Sequence, residues 1–260
     1  MRLSPAQRHR MRTVAALSVA AAGAAGGIAA PQLASTDYEL RRARLGVDLR
    51  RLGEIQSLEA KIALKRDLLP EYAEWVGGVL AAAEQSGKGV QDDVLVHVMI
   101  WRIDVGDYYG ALPLVAYALR WNLELPQRFT RTLAAMVVEE IADEALKRLG
   151  GGHDFDLDIL LQVEALTEDE DMHDQIRAKL NKAVGLQLAR RAEAIAPGDD
   201  GPAGARRAGI EAGVTRLKRA LQLDQGSGVK KQIERLEREA AKLIPPPEPH
   251  SDANQGGSDA

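Results

Sequence analysis

Apolar residues recur every three or four positions along most of this 260-residue chain, which is the spacing of one face of an α-helix. The clearest case is 89–108, where apolar residues keep this spacing from Val94 onward. Asp92 precedes them, at a position where a carboxylate accepts hydrogen bonds from the unpaired N–H groups of a first turn. Gly106 suits the left-handed residue that closes many helices, and Asp107 can cap the next one. The pattern therefore predicts a helical hairpin.

A long amphipathic helix is predicted at 37–67, where leucines and isoleucines advance by threes and fours with arginines between them. One face is apolar and the opposite face is strongly basic. The segment 68–70 is expected to end this helix, because the residue before a proline is disfavoured in helical geometry. Such a helix can be a solvated surface helix or a coiled-coil strand, or its basic face can lie against phosphates. The coiled-coil role and the phosphate-binding role are compatible if the apolar stripe pairs subunits while the basic side contacts phosphates.

The remaining pattern is helical too, and no run of alternating β-branched residues predicts a strand. We therefore predict an all-α fold, built as a multi-helix bundle. Gly106-Asp107-Tyr108 followed by Ala111-Leu112 also resembles half of a tetratricopeptide-type hairpin, so the bundle is expected to contain such hairpins. Further helices are predicted at 71–84, 130–149, 156–166, 174–196, 208–223 and 229–243.

Breaks in the periodicity divide the chain. The Pro/Gly/Asp run at 197–202 is typical of a linker, and three consecutive prolines from Pro245 begin a segment typical of a disordered tail. The predicted order is a flexible basic, alanine-rich arm at 1–36, the long basic helix at 37–67, a helical core at 68–196, a linker at 197–205, a C-terminal helical hairpin at 206–244 and a disordered tail at 245–260.

Residues 1–30 allow two interpretations. Arginines precede an Ala/Val/Gly-rich run, which is the layout of a secretory signal. The run is mostly alanine and glycine, however, so its transfer into a bilayer is only weakly favourable. A basic arm with a short alanine-rich helix is the competing interpretation. The chain contains no cysteine, which is compatible with a reducing cytoplasm and favours the arm.

The formal net charge of −4 is unevenly distributed along the chain. Residues 1–66 contain 12 Lys and Arg against 5 Asp and Glu, or +7, whereas the remainder of the chain is −11. This asymmetry indicates that the N-terminal part contacts a polyanion while the acidic body is repelled by it. The candidate phosphate contacts are Arg8, Arg10, Arg12, Arg41, Arg42, Arg44, Arg50 and Arg51.

The sequence contains no recognisable catalytic motif. A phosphate-cradling loop needs Gly-x₄-Gly-Lys-Ser/Thr, and Gly87-Lys88 fails this pattern at both ends. A nuclease would need two or more carboxylates around a divalent metal, and the carboxylate groups present lack the spacing of a known metal motif. We predict no metal site and no cofactor, with Mg²⁺ needed only if the chain is itself a nuclease. The candidate carboxylates are Asp92/Asp93, Asp104/Asp107, Glu139/Glu140/Asp143 and the run 168–171.

Nine spaced blocks of residues carry a family resemblance. They are Ser4–His9, Leu68–Pro70, Trp75-Val76, Gly78–Leu80, Gly89–Asp93, Met99–Asp107, Ala111-Leu112, Tyr117–Leu119 and Gly228–Arg238. Together they resemble the small terminase subunit of temperate tailed phages, a family described as terminase endonuclease subunits. The resemblance implies a protein that recognises the packaging site of double-stranded phage DNA and hands it to a large ATPase subunit for cutting and translocation. It also implies a homo-oligomeric ring that works in the bacterial host cytoplasm, away from membranes.

Three functions stay open from the sequence. The first is a DNA-binding packaging subunit, with ATPase and nuclease in the large subunit as the resemblance implies. The second is a self-contained, metal-dependent DNA endonuclease. The third is a tetratricopeptide-like scaffold that binds proteins and not DNA.

Overall fold

The computed structural model describes residues 36–195 and 204–243. Within these two ranges the chain is helical and has no strand, so the all-α prediction is confirmed. The helices are α1 (Thr36–Glu54), α2 (Leu58–Ser86), α3 (Asp93–Asp104), α4 (Tyr108–Arg120), α5 (Leu133–Gly150), α6 (Leu157–Leu166), α7 (Asp174–Glu193), α8 (Ala205–Leu223) and α9 (Lys230–Lys242).

A large apolar core holds α1 to α7 together. Its biggest fully buried side chains are Trp75, Trp101 and Tyr72, which come from α2 and α3. A second, smaller core forms where the C-terminal half of α7 packs against α8 and α9, through residues such as Ile210 and Leu236. Because α7 contributes to both cores, it joins the C-terminal hairpin to the rest of the structure.

The start of α3 is fixed by one buried carboxylate. Asp92 caps this helix and accepts hydrogen bonds from the backbone N–H groups of Val94 and Leu95, at 2.8 and 3.0 Å. The indole N–H of Trp75, on α2, donates to the same carboxylate at 2.8 Å. The side chain is excluded from solvent, and this burial raises the pKa of Asp92 to about 6. The predicted helix start is confirmed.

An aromatic pair brings α1 to the same place. The ring of Tyr38 stacks on Trp75 with 5.9 Å between ring centroids, and its hydroxyl accepts a hydrogen bond from the N–H of Asp93 at 3.1 Å. The other end of α3 also follows the prediction. Gly106 has a φ of 80°, and Asp107 accepts from the N–H of Gly110 at 3.1 Å to cap α4. The predicted helical hairpin is therefore confirmed.

The prediction of one continuous helix at 37–67 is wrong. The chain leaves helical geometry at 55–57, and Ser57 then begins α2 by accepting a hydrogen bond from the N–H of Ala60 at 3.3 Å. A serine at this position satisfies one of the donors that a helix start leaves unpaired. The break lets α1 fold back along α2, where Tyr72 reaches Asp48.

The predicted helix end before Pro70 is also wrong, because α2 runs on to Ser86. Pro70 is exposed and removes one backbone hydrogen bond, the one to the carbonyl of Arg66. Buried side chains lie on both sides of it, including Leu68 and Tyr72. Packing of this apolar face against the core offsets the missing bond, so tertiary contacts override the local preference.

The other predicted boundaries fall within a few residues of the helices. Residues 1–35, 196–203 and 244–260 lie outside the described residues, which takes in most of the predicted arm, the main part of the predicted linker and the predicted tail. Three ends differ by three residues: α5 begins at Leu133, α7 ends at Glu193, and α8 begins at Ala205, inside the predicted linker. No helix in 36–195 or 204–243 is long and apolar enough to cross a membrane.

Helices α7 and α8 approach each other through glycine. A Cβ atom built on Gly213 would lie 2.8 Å from the carbonyl oxygen of Gly185 and 3.1 Å from the backbone nitrogen of Ala189. Both neighbours are backbone atoms, so they cannot rotate away. Small residues at this crossing let the two backbones touch and position the hairpin on α7.

We predict that Gly213→Ala lowers the free energy of unfolding by about 1–3 kcal/mol, because the added methyl group forces α7 and α8 apart. Gly77→Ala is the matched control, since Gly77 is an exposed helical glycine with open space around it. This control should gain up to about 1 kcal/mol from helix propensity. Urea unfolding followed by circular dichroism measures both. An equal change in the free energy of unfolding of the two variants would contradict the close backbone contact.

The raised pKa of Asp92 predicts a pH dependence. The folded state binds the proton of Asp92 more tightly than the unfolded state does. Protonated Asp92 therefore adds to the free energy of unfolding below about pH 4, and this contribution is lost as the pH rises through about 6. Relative to Asp92→Asn, the wild type should lose on the order of 2 kcal/mol of unfolding free energy between pH 4 and pH 7. Urea unfolding across this range tests it, with exposed Asp67→Asn as the control. If the difference in unfolding free energy between the wild type and Asp92→Asn does not vary with pH, the raised pKa of Asp92 is contradicted.

Candidate nucleic-acid interface

Two of the predicted phosphate contacts surround a buried acid. Asp48, on α1, is excluded from solvent and accepts hydrogen bonds from Arg44 and Arg51, both at 3.0 Å. The hydroxyl of Tyr72 donates to the same carboxylate at 2.8 Å. Arg44 also reaches Glu71 on α2 at 2.7 Å. The hydrogen bond with Asp48 is the main cause that raises the pKa of Arg44. These two arginines therefore solvate an internal charge and fasten α1 to α2.

The other three arginines of α1 differ from one another. Arg41 is half-buried, which lowers the pKa of its guanidinium, and it donates to the backbone carbonyl of Glu71 at 3.3 Å. Arg42 pairs with Asp93 at 3.2 Å and lies over the ring of Tyr38. Arg50 is exposed and has no ion pair with any residue in the described ranges. Among the five, it is the one whose charge is not balanced by a neighbouring acid.

The expectation of a single basic face on α1 is wrong. Successive residues of a helix turn by about 100°, which places most of the arginines on both flanks of the buried stripe. The outward-facing positions, spaced by three and four residues, are Leu40, Ala43, Val47 and Arg50, and Leu40 is 63% exposed. The outer line of α1 is therefore apolar in its first part and carries Arg50 beyond it, while the other arginines lie on its flanks.

Three predicted contacts belong to the arm. Arg8, Arg10 and Arg12 lie outside the described residues. Residues 1–36 contain four arginines and no acidic residue, so they supply +4 of the +7 that the sequence assigns to 1–66. Since the arginines of α1 are mostly balanced by local acids, the arm holds the larger share of uncompensated positive charge.

The candidate carboxylates have structural partners. Asp92 caps α3, and Asp107 caps α4 and pairs with Arg102. Glu139 and Asp143 both hold Lys179 of α7, each at 2.9 Å. In the described ranges, no three histidine or acidic residues gather in a group that could hold a metal ion.

Asp104 and the acidic run at 168–171 are held by cations of other segments. Asp104 pairs with Lys65 of α2. The acidic run at 168–171 follows α6, and the guanidinium of Arg177 donates to backbone carbonyls on this segment, including that of Glu168 at 3.1 Å. Asp104 therefore joins α3 to α2, whereas the segment 168–171 is held through its backbone carbonyls and not through its carboxylates.

A second block of positive charge was missed by the sequence reasoning. Residues 204–243 contain 10 Lys and Arg against 5 Glu and Asp, a net charge of +5. The net charge summed over all residues after 66 concealed this block, because the segment 67–203 is strongly acidic. A charge count over each predicted domain would have found it.

The described ranges are helical and have no strand, and the chain has basic segments at 1–66 and 204–243 on either side of an acidic segment at 67–203. Residues 42–175, about half of the chain, match the family model described as phage small terminase subunit. The chain belongs to this family, as the resemblance of its sequence blocks implied.

Two relatives extend the similarity along the chain. It is 44% identical over 250 residues to the "Terminase, endonuclease subunit" of Escherichia phage P2, across 96% of this chain and 90% of the relative. It is 27% identical over 203 residues to the "Probable terminase, endonuclease subunit" of Haemophilus phage HP1, across 76% of this chain and 69% of the relative. No solved structure matches the chain significantly.

We predict that Asp48→Asn lowers the free energy of unfolding by about 1–2 kcal/mol. The substitution removes the shared partner of Arg44 and Arg51, and the half-exposed arginines make the effect smaller than for a fully buried pair. Glu54→Gln, an exposed acid on the same helix, is the control and should change stability by less than about 0.5 kcal/mol. Urea unfolding distinguishes them. A loss no larger than that of the control would show that Asp48 does not fasten α1.

Proposed function

We propose that this protein binds the packaging region of double-stranded phage DNA and presents it to the large ATPase subunit of the terminase in the host cytoplasm. The observation that carries the proposal is the similarity to the phage P2 protein, which extends over 96% of this chain and is not confined to one motif. We further propose that the protein acts as a homo-oligomer. Leu40 and Val47, the exposed large apolar residues of α1, are available for contacts between copies.

The proposed DNA contact begins with the arm. Each Lys or Arg that docks on a phosphate releases condensed counterions, which gives affinity without base recognition. Arg8, Arg10 and Arg12 have no acid within the predicted arm to oppose this. An acidic centre repels the duplex and confines contact to the basic regions.

The arginines of α1 form the second part of the proposed contact. Arg50 is exposed without an acidic partner in the described part of the chain. The side chains of Arg42, Arg44 and Arg51 are about half exposed and are held by ion pairs with Asp93 and Asp48. The Arg42–Asp93 pair is exposed and contributes only about 0–1 kcal/mol, so a phosphate can compete for Arg42. Arg44 and Arg51 stay bound to the buried Asp48 and offer a phosphate only their outward N–H groups.

Cutting of DNA is assigned in this proposal to the assembled terminase. The printed names of both relatives include "endonuclease subunit", which favours a role in cutting and keeps an intrinsic nuclease as the second candidate. An intrinsic nuclease would need carboxylates of this chain around Mg²⁺.

Incubation of the purified full chain with cohesive-end or packaging-site DNA, with and without Mg²⁺ and the large subunit, distinguishes these candidates. We expect a bound complex with this chain alone, and cutting only when the large subunit, ATP and Mg²⁺ are all added. Cutting by this chain with Mg²⁺ alone would support the nuclease instead. If the purified chain does not bind DNA even at low salt, the proposal is overturned and a protein-binding scaffold is favoured.

The arm makes a separate prediction. Neutralising Arg8, Arg10 and Arg12 to glutamine should make the slope of log affinity against log salt less steep by about 2–3, because each lost phosphate contact removes about 0.9. The matched control neutralises three exposed cations of the acidic centre, Arg120, Lys147 and Arg148. Fluorescence anisotropy with labelled duplex measures both slopes. An equal effect of the two triple variants would show that total charge, not the arm, determines binding.

A further inference from the structure

The outer face of α9 is a continuous line of cations. Ile233, Leu236 and Ala240 are buried against α7 and α8. At about 100° per residue, the positions opposite that buried face are spaced by four, three and four residues. Every one of these positions carries a positive charge and is exposed. They are Lys231, Arg235, Arg238 and Lys242, called the α9 stripe below.

The charge of the α9 stripe is only partly balanced. Arg235 pairs with Glu193 at 2.6 Å and with Glu239 at 3.3 Å. Arg238 donates to a backbone carbonyl on its own helix. Lys231 and Lys242 have no ion pair within 36–195 or 204–243. The stripe therefore keeps a net positive charge, although Arg235 is balanced by its two acidic partners.

Three acids of α9 lie beside the stripe. Glu234, one turn from Arg238, is exposed and has no ion pair within the described ranges, so it offsets part of the positive charge. Glu237 lies to one side of the stripe and pairs with Lys218 of α8 at 2.6 Å. Glu239 lies to the other side and pairs with Arg206 of α8 at 2.7 Å. Between Arg206 and the stripe runs a groove of about 420 Å³, lined by Arg206, Arg235, Arg238, Glu239, Lys242 and Leu243. Four of these six residues are cationic.

We propose that the α9 stripe is a second phosphate-binding surface, which lies against the backbone of double-stranded DNA. The inference rests on the proposed DNA-binding function and deepens it. The stripe runs for about 16 Å along the helix axis, given a rise of 1.5 Å per residue. A duplex of that length carries about nine negative charges, so four cations in line meet a dense row of phosphates.

Nucleic acid fits this surface better than a protein partner does. A protein interface needs an apolar centre that excludes water, with polar groups at its rim. Along the α9 stripe the exposed side chains are cationic, and the nearest large apolar group, Leu243, lies at its end and is 36% exposed. Phosphate binding needs only positive charge in a suitable line. The hairpin also lies outside the part of the chain, 42–175, that matches the family model.

The test is a salt titration with two charge-matched quadruple variants of the full chain. The stripe variant is Lys231→Gln, Arg235→Gln, Arg238→Gln and Lys242→Gln. The control variant neutralises four cations on other faces of the same hairpin: Arg207→Gln, Lys218→Gln, Arg219→Gln and Lys230→Gln. We expect the stripe variant to bind duplex DNA at least about tenfold more weakly at 0.1 M salt, with a slope less steep by about 2–3. The control should stay within about threefold of the wild type.

Wild-type protein provides a second measurement that does not depend on folding of a variant. Acetylation of lysines, read by mass spectrometry, should show that duplex DNA protects Lys231 and Lys242 while Lys218 reacts as in the free protein. Circular dichroism melts establish that both quadruple variants are folded.

Each remaining outcome contradicts the inference. If the wild type binds DNA and the two quadruple variants are weakened equally, or neither is weakened, the stripe is not a contact and the proposed function stands. If only the stripe variant changes its oligomeric state while DNA affinity is kept, the stripe joins copies of the chain. If the wild type does not bind DNA at all, the proposed function and this inference both fail.

Discussion

The structure depends on a carboxylate that has been taken out of water and then fully hydrogen-bonded. Asp92 receives two backbone N–H groups of α3 and the indole of Trp75, and Tyr38 stacks on that indole. Burying an acid is unfavourable unless its oxygens find donors. The three donors therefore have to stay together, and this requirement fixes α2 against α3. Through the stacked ring of Tyr38, it also fixes where α1 lies.

A different kind of contact attaches the C-terminal hairpin. The crossing of α7 and α8 has no charged network at its centre and depends on the shape of Gly185 and Gly213, which let two backbones touch. Around it, the small core of α7, α8 and α9 is apolar. Steric fit therefore sets the closest approach of the hairpin. Ion pairs at its edges add to the attachment, since Arg216 of α8 pairs with Glu164 of α6 and Arg235 of α9 pairs with Glu193 of α7.

Local signals were readable from the sequence, and contacts between distant residues were not. The start of α3 was predicted because an Asx cap followed by an apolar period is a local pattern. The break at 55–57 was not, because the apolar period continues across it and only Ser57 marks the new start. The helical spacing places Asp48 between Arg44 and Arg51, but nothing in the sequence showed that Asp48 is buried against Tyr72 of α2. The α9 stripe was readable, but averaging charge over most of the chain concealed it.

The reversal between α1 and α2 determines where the first 35 residues are tethered. A single straight helix over 37–67 would have carried their attachment point about 30 Å or more from the break, out into solvent. Folding back instead brings Tyr38 next to the N–H of Asp93. The attachment point of the first 35 residues, at the start of α1, therefore lies beside the N-terminal, positive end of the α3 dipole, close to where Arg42 pairs with Asp93.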